Sequence, residues 1–410
     1  MDEHGVWKIV YFGTIFSLII LALAYFLISP KETDFFNEQK TEIIAEFTNT
    51  RVSGRKEGKK VWEFQAKAGW TDKDKDTNTL TDVSNGTTYS DGLPVVRQLQ
   101  APRVKVYRSG GVIDASGFAA DTDKGKSRLT AWIDLKKAST QKKDQSEWTR
   151  LRADRLQYWL DQKRSEISGN VSLTRKNSTI YAQKVVIDHE KRIADATDKI
   201  TVIRQDGVMS TDSMRYFGQE EKIDATGNVK LDLKHAKRQT KILANQATLY
   251  SDMDREMTFS GSLEVIQGKK AAVSDSGTYS RPANRLTMSQ NVKAVFEKAS
   301  AIIQSESIRK LKEKETKEML KEKTFLTSDN FMIFTNTGNA QANGNVVVYQ
   351  QKREARADQA VYDEKKETLV LTGNVSLKKV KDWVNAQQVI VSIKNKTFEA
   401  SGEVKAEFKL

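Results

Sequence analysis

The chain has 410 residues, no cysteine and a formal net charge of +13. Its length allows two domains with real cores, and the absence of cysteine excludes disulfides, thiolate metal sites and cysteine nucleophiles. The basic residues are spread along the chain, with no Arg-rich arm, zinc spacing, helix-turn-helix pattern or RNP-type aromatic motif, which argues against a nucleic-acid partner.

A short tail, residues 1–8, precedes an uncharged run from Ile9 to Ile28. Twenty residues at ~1.5 Å each reach ~30 Å, the thickness of a bilayer core. Trp7 and Tyr25 stand near its ends, where interfacial aromatics belong. Residues 9–28 therefore read as a single uncleaved transmembrane helix, with the large domain on the far side of the membrane from the tail. The rival reading is a cleaved signal peptide, because Ala22-Leu23-Ala24 resembles a cleavage site, but the apolar run continues past it. Residues 29–45 are a polar linker.

Residues 46–150 read as a first β domain. Val61–Ala66, Arg103–Tyr107 and Leu129–Ile133 are β-rich, and Arg55-Lys56-Glu57-Gly58, Asn85-Gly86, Asp91-Gly92 and Gly110-Gly111 read as turns. Lys136 to Gln145 reads as a loop.

From residue 151 to 410 a unit of about 29 residues repeats. It surfaces as Gly-Asn-Val at Gly169, Gly227, Gly344 and Gly373, with weaker copies starting at Asp198, Gly261, Gln290 and Gly402. A fixed period of this size means stacked, near-identical supersecondary units. Two positions before the first residue stand Ile167, Ala196, Ala225, Phe259, Met288, Ala342, Leu371 and Ala400. Two after it stand Val171, Ile200, Val229, Leu263, Val292, Val346, Val375 and Val404. Four after it stand Leu173, Val202, Leu231, Val265, Ala294, Val348, Leu377 and Ala406. All are apolar, and the position between the last two columns is polar in all copies but one, where Val347 stands. The pattern is a strand with one buried and one wet face, in a register that a one-residue slip would invert.

A second strand in each unit carries a small residue (Ala153, Ala182, Ser210, Ala244, Ser274, Ser328, Ala357, Ala386). Five positions on stand Tyr158, Ile187, Arg215, Leu249, Tyr279, Ile333, Tyr362 and Val391, a column that only Arg215 breaks. Asp154, Asp212 and Asp358 are expected to point outward. One step of the repeat holds an insertion, about Ala301 to Lys323, whose Glu306/Lys310 and Glu313/Lys317 pairs suit a surface helix. The small inward residues fit either an under-filled interior that takes a long apolar ligand or a narrow, fully packed one.

Two resemblances bear on that choice. The unit Ala153-Asp154-Arg155-Leu156-Gln157-Tyr158 with Gly169-Asn170-Val171, and again Ala357-Asp358-Gln359-Ala360-Val361-Tyr362 with Gly373-Asn374-Val375, resembles the OstA/LptA family of lipopolysaccharide transport proteins. The first domain, with an N-terminal anchor followed by Gly58-Lys59-Lys60-Val61-Trp62-Glu63-Phe64-Gln65-Ala66, looks like LptC. The resemblance implies an all-β fold, an elongated, V-shaped antiparallel β-jellyroll behind the transmembrane helix. It implies acyl chains held between the two sheets and sugars left in water.

It also implies a place in the inner membrane with the large domain in the periplasm. The partners implied are lipopolysaccharide, the inner-membrane ABC transporter of the pathway, and an LptA-like or outer-membrane LptD-like jellyroll joined edge to edge. The lipid-binding candidates are the members of the three columns other than the alanines, Met288 and Val404. Residues Val404, Ala406 and Phe408 alternate with Lys405 and Glu407 on a last strand that nothing follows, and form the expected docking edge. With each unit giving one strand to each sheet, eight units extend ~40 Å at ~4.8 Å per strand.

No metal, cofactor or catalytic residue is expected. His4, His189 and His235 are far apart in sequence, the last two in turns, and no triad order, paired-carboxylate motif or phosphate loop is visible. The rival reading of the repeat is a membrane-anchored scaffold or adhesin with a filled core.

Overall fold

The computed structural model describes residues 43–73, 76–120, 125–135, 148–235, 238–251, 254–296, 324–350, 353–379, 381–392 and 397–408. The expected span (9–28), the Lys136–Gln145 loop and the insertion at 301–323 lie outside these residues. No helix occurs among the described residues, and so none long and apolar enough to cross a membrane.

The chain begins with four long strands, β1 (Ile43–Lys56), β2 (Lys59–Asp72), β3 (Thr77–Ser90) and β4 (Leu93–Tyr107). Five elements follow: β5 (Val112–Ser116), β6 (Leu129–Ile133), β7 (Thr149–Ala153), β8 (Arg155–Trp159) and β9 (Arg164–Arg175). Then come β10 (Ser178–Asp188), β11 (Ile193–Arg204), β12 (Gly207–Phe217), β13 (Lys222–His235), β14 (Arg238–Tyr250), β15 (Met257–Gln267), β16 (Lys270–Ser280) and β17 (Arg285–Phe296). The last are β18 (Thr324–Phe334), β19 (Ala340–Gln350), β20 (Arg353–Asp363), β21 (Thr368–Lys379), β22 (Asp382–Ser392), β23 (Thr397–Ser401) and β24 (Lys405–Glu407).

Pairing is antiparallel throughout, each strand against the next in sequence, with three exceptions in pattern. β4 pairs with β6 through its first half and with β5 through its second. β9 pairs with β8 through its first half and β7 through its second, so β5/β6 and β7/β8 are each one strand in two pieces. β23 and β24 are likewise two pieces against β22. Hydrogen bonding passes residue 150 without a break, and one hydrophobic cluster runs from Trp62 to Val389.

Every repeat unit bends at its Gly-Asn pair or at the two residues that take its place. Between β9 and β10 the register jumps from Val171↔Ala182 to Ser168↔Lys184, so that two residues oppose one. Gly169 and Asn170 have φ of 72° and 45°, and Gly373 and Asn374 have 74° and 46°; the pairs Asp198-Lys199 and Gln290-Asn291 do the same without glycine. Two successive left-handed residues in a strand make a bulge that turns the chain sharply. Glycine leads most copies because a side chain at Gly169 would lie 2.4 Å from Asp154 Oδ2.

The bends divide each long strand into halves, and the halves form two leaves joined along a spine of bends. Leaf one holds β9 residues 164–168 and their neighbours; leaf two holds 171–175 and theirs. The leaves face each other. Phe296 of leaf two meets Phe331 and Tyr362 of leaf one at ring-centroid distances of 6.3 and 6.1 Å, and Leu263 of leaf two reaches the bare Gly277 of leaf one.

Several expectations change. Each unit supplies two bent strands, and so two half-strands to each leaf; eight units span roughly 80 Å at ~4.8 Å per strand, twice the sequence figure. The ladder places Thr211 and Tyr216, not Ser210 and Arg215, in the small and apolar columns. Thr211 and Tyr216 are buried and Arg215 is exposed, so the column has no break. Asn85-Gly86 is a bend inside β3, not a turn, with Gly86 pressed against Phe64. His235 closes a strand. The alternation also fails locally: Val273, Val295 and Phe325 form a small second cluster on the opposite face from the main core.

Candidate functional site

The interior between the leaves is the candidate site. Ile167, Val171, Ile200, Val202, Val229, Leu231, Phe259, Leu263, Val265, Val292, Val346, Leu371 and Val375 are all buried there, as are Leu173 and Val348, the latter 7% exposed; Leu377 is half-buried. The three inward columns carry no charge in any unit, which suits an interior where an unpaired charge would be costly. Alternation along each strand brings the columns into one continuous lining. The lining is close-packed, so a chain-like guest enters only if the leaves part.

Two long borders enclose this lining. On the spine, the side-chain amide of the bend asparagine donates to an aspartate sixteen residues earlier. The pairs are Asn170–Asp154 at 2.8 Å, Asn228–Asp212 at 2.7 Å, Asn291–Asp275 at 2.5 Å, Asn345–Asp329 at 2.9 Å and Asn374–Asp358 at 2.9 Å. Asp154, Asp212 and Asp358 do face away from the interior, and they clasp the bends. The spine is covalent and cannot open.

The other border is a seam between two rows of turns, one row ending leaf one and the other ending leaf two. Arg175 of leaf two donates to Tyr216 Oη at 3.1 Å and to Glu221 at 3.2 Å on leaf one. Arg204 donates to the Tyr250 carbonyl at 3.4 Å and pairs with Asp206 at 3.4 Å; Asp206 also lies 3.6 Å from Arg281 of leaf one. Gln267 donates to the Thr335 carbonyl at 3.1 Å. Lys270 donates to the Gly338 carbonyl at 2.7 Å and to Glu364, which also receives Arg238 at 3.3 Å. Nearer the N-terminus, Lys163 meets Asp91 at 2.9 Å and Lys56 meets Asp161 at 2.5 Å.

Just inside the seam runs the tyrosine column. Tyr158 reaches the Tyr89 carbonyl at 3.5 Å, and Lys270 lies 4.8 Å from the centre of the Tyr362 ring. Burial raises the Tyr158 hydroxyl to about 12. Burial, with Glu364 next, raises Tyr362 to about 12. Burial lowers Lys270, against the pull of Glu364. For Glu364 burial acts upward, but the contacts from Lys270 and Arg238 outweigh it and lower the carboxyl.

His189 is buried, with Nε2 2.7 Å from Ser165 Oγ and its ring edge-on to Tyr158. Burial lowers it to about 3, so it is neutral. No group of three or more His, Asp or Glu suited to a metal ion occurs among the described residues. The expected docking residues are exposed, Val404 by 49% and Phe408 by 66%, with Ala406 between them and Phe398 and Ile390 nearby.

The seam residues were not singled out from sequence, although Arg175, Arg204 and Gln267 share one position in the unit, six after its first residue.

Residues 150–316 and 241–397 match the family model described as LptA/(LptD N-terminal domain) LPS transport protein. The two spans together cover more than half of the chain. The chain belongs to this family. The family is one of transport proteins, and the matched region coincides with the repeat units and their bends. Residues 46–149 lie outside both spans. No curated protein matches the chain in sequence. Among solved structures, the chain is similar to LptH, the LptA homologous periplasmic component of the lipopolysaccharide transport device from Pseudomonas aeruginosa. That likeness is 10% identical, covers 42% of this chain and 95% of LptH, and has a TM-score of 0.20.

Proposed function

We infer that the chain is a membrane-anchored, periplasmic component of the lipopolysaccharide transport bridge. It takes the acyl chains of lipopolysaccharide between its leaves and leaves the sugars in water. Residues 9–28 hold it in the inner membrane, and the LptC-like residues 46–150 face the ABC transporter that supplies the lipid. The cargo then moves along the leaves toward the outer membrane. At the far end, β24 with Val404 and Phe408 on either side of it pairs with an LptA-like or LptD-like jellyroll, to which an exposed apolar edge is complementary. No bond in the cargo is made or broken.

The observation that carries this reading is the single apolar lining from Trp62 to Val389, continuous across the first domain and the family-matched repeats. The lipid-binding residues are the large members of the three inward columns. Close packing does not oppose the reading, because the seam contacts among the described residues each run through a side chain and can part.

The same close packing also favours a second reading, a filled-core scaffold anchored in the membrane. Mass spectrometry of protein extracted from the envelope separates the two. Bound acylated glycolipid supports transport, and a guest-free interior supports the scaffold.

A further inference from the structure

The seam has an excess of cations arranged in a particular way. Asp206 is shared by Arg204 and Arg281, and Glu364 is shared by Lys270 and Arg238. The Glu364 clasp, with two cations on one carboxylate, carries a net positive charge. These are not free surface lysines. The side chains of Arg204 and Asp206 are 8% and 7% exposed, and that of Lys270 is 14% exposed. Both clasps join leaf to leaf, at the border where the apolar lining meets water.

An amphiphile whose acyl chains enter between the leaves must place its headgroup at this border. Parting the leaves pulls each carboxylate from at least one of its cations. A half-buried cation stripped of its partner is costly, and a replacement anion removes that cost. A phosphate monoester carries ~1.5 to 2 negative charges and three acceptor oxygens, and it matches a pair of cations better than one carboxylate does.

We propose that the clasps Arg204/Arg281 on Asp206 and Lys270/Arg238 on Glu364 are binding sites for a phosphorylated headgroup, which displaces the carboxylate as the acyl chains enter. The clasp thus couples opening of the seam to arrival of an anionic amphiphile. An uncharged lipid would supply no anion to replace the carboxylate. The proposal rests on the transport reading above, which supplies the acyl chains.

The test uses the full-length protein in detergent, with lipopolysaccharide before and after phosphatase treatment as the two probes and inorganic phosphate as competitor. The wild type is expected to bind the phosphorylated form about tenfold more tightly than the treated form, and the Lys270→Met/Arg238→Met variant to lose that preference. Glu364→Gln keeps both cations and removes their internal anion, so it is expected to bind the phosphorylated form more tightly than the wild type does. It decides the matter should the double variant misfold. Equal preference for the two lipids in wild type and Glu364→Gln overturns the proposal and leaves the transport reading standing. Inorganic phosphate binding as tightly as the lipid overturns the assignment to a headgroup. No binding of either lipid to the wild type overturns the proposal and the transport reading together.

Discussion

Asn374 donates its side-chain amide to the Asp358 carboxylate at 2.9 Å, sixteen residues back along the chain, and that carboxylate also fills the space where a Gly373 side chain would stand. The relationship recurs along the spine and fixes where each strand passes from one leaf to the other. Gly373→Ala puts a Cβ 2.3 Å from Asp358 Oδ2 at a φ of 74°. It is expected to cost about 1–3 kcal/mol in urea unfolding. Asp358→Ala, at an exposed position, is expected to cost less. Equal stability of Gly373→Ala and wild type would contradict this role for the bend.

Phe259 and Thr258 are neighbours on β15 with opposite fates, one buried between the leaves and one exposed. Phe259→Ala is expected to lose about 3–5 kcal/mol and Thr258→Ala to stay within about 0.5 kcal/mol of wild type. Thermal melts of both variants measure the contrast.

His189 makes stability fall in acid. Its folded pKa is lowered to about 3 by burial, below the ordinary ~6.5, so the unfolded chain binds the extra proton first. Stability from this group is complete above ~6.5 and declines steadily as pH falls from there toward 3. Urea midpoints at pH 7.5 and 5.5 are expected to differ more in the wild type than in His189→Gln.

Phe408 is 66% exposed at the outer end of the sheet. Phe408→Asp is expected to leave the unfolding transition unchanged and to reduce co-purification with an LptA-like or LptD-like partner. Undiminished capture by the variant would remove this edge from the docking surface.

How much of this was legible beforehand depends on the range of each interaction. The inward columns were visible because alternation is local: Val229, Lys230 and Leu231 declare their faces by residue type alone. The bend was visible as a Gly-Asn pair but not understood, because its aspartate lies sixteen residues away and looks like any polar surface residue. One misplaced residue in the third unit put Arg215 where Tyr216 belongs, since a one-residue slip cannot be seen without the ladder. The clasps of the seam were invisible. Arg238 and Glu364 are 126 residues apart and meet only because the leaves face each other. Their turns vary in length, so no fixed period marks them.

The central claim is that lipopolysaccharide passes between the leaves. Photo-crosslinking in living cells tests it directly, with a photoreactive residue at Val229 or Val375, both buried in the lining, and at Lys230 or Ser376, on the opposite face. Lipopolysaccharide adducts at Val229 and Val375 alone are the predicted result. Folded protein in the envelope with no adduct at either inward position, or with adducts at Lys230 and Ser376 instead, would contradict it.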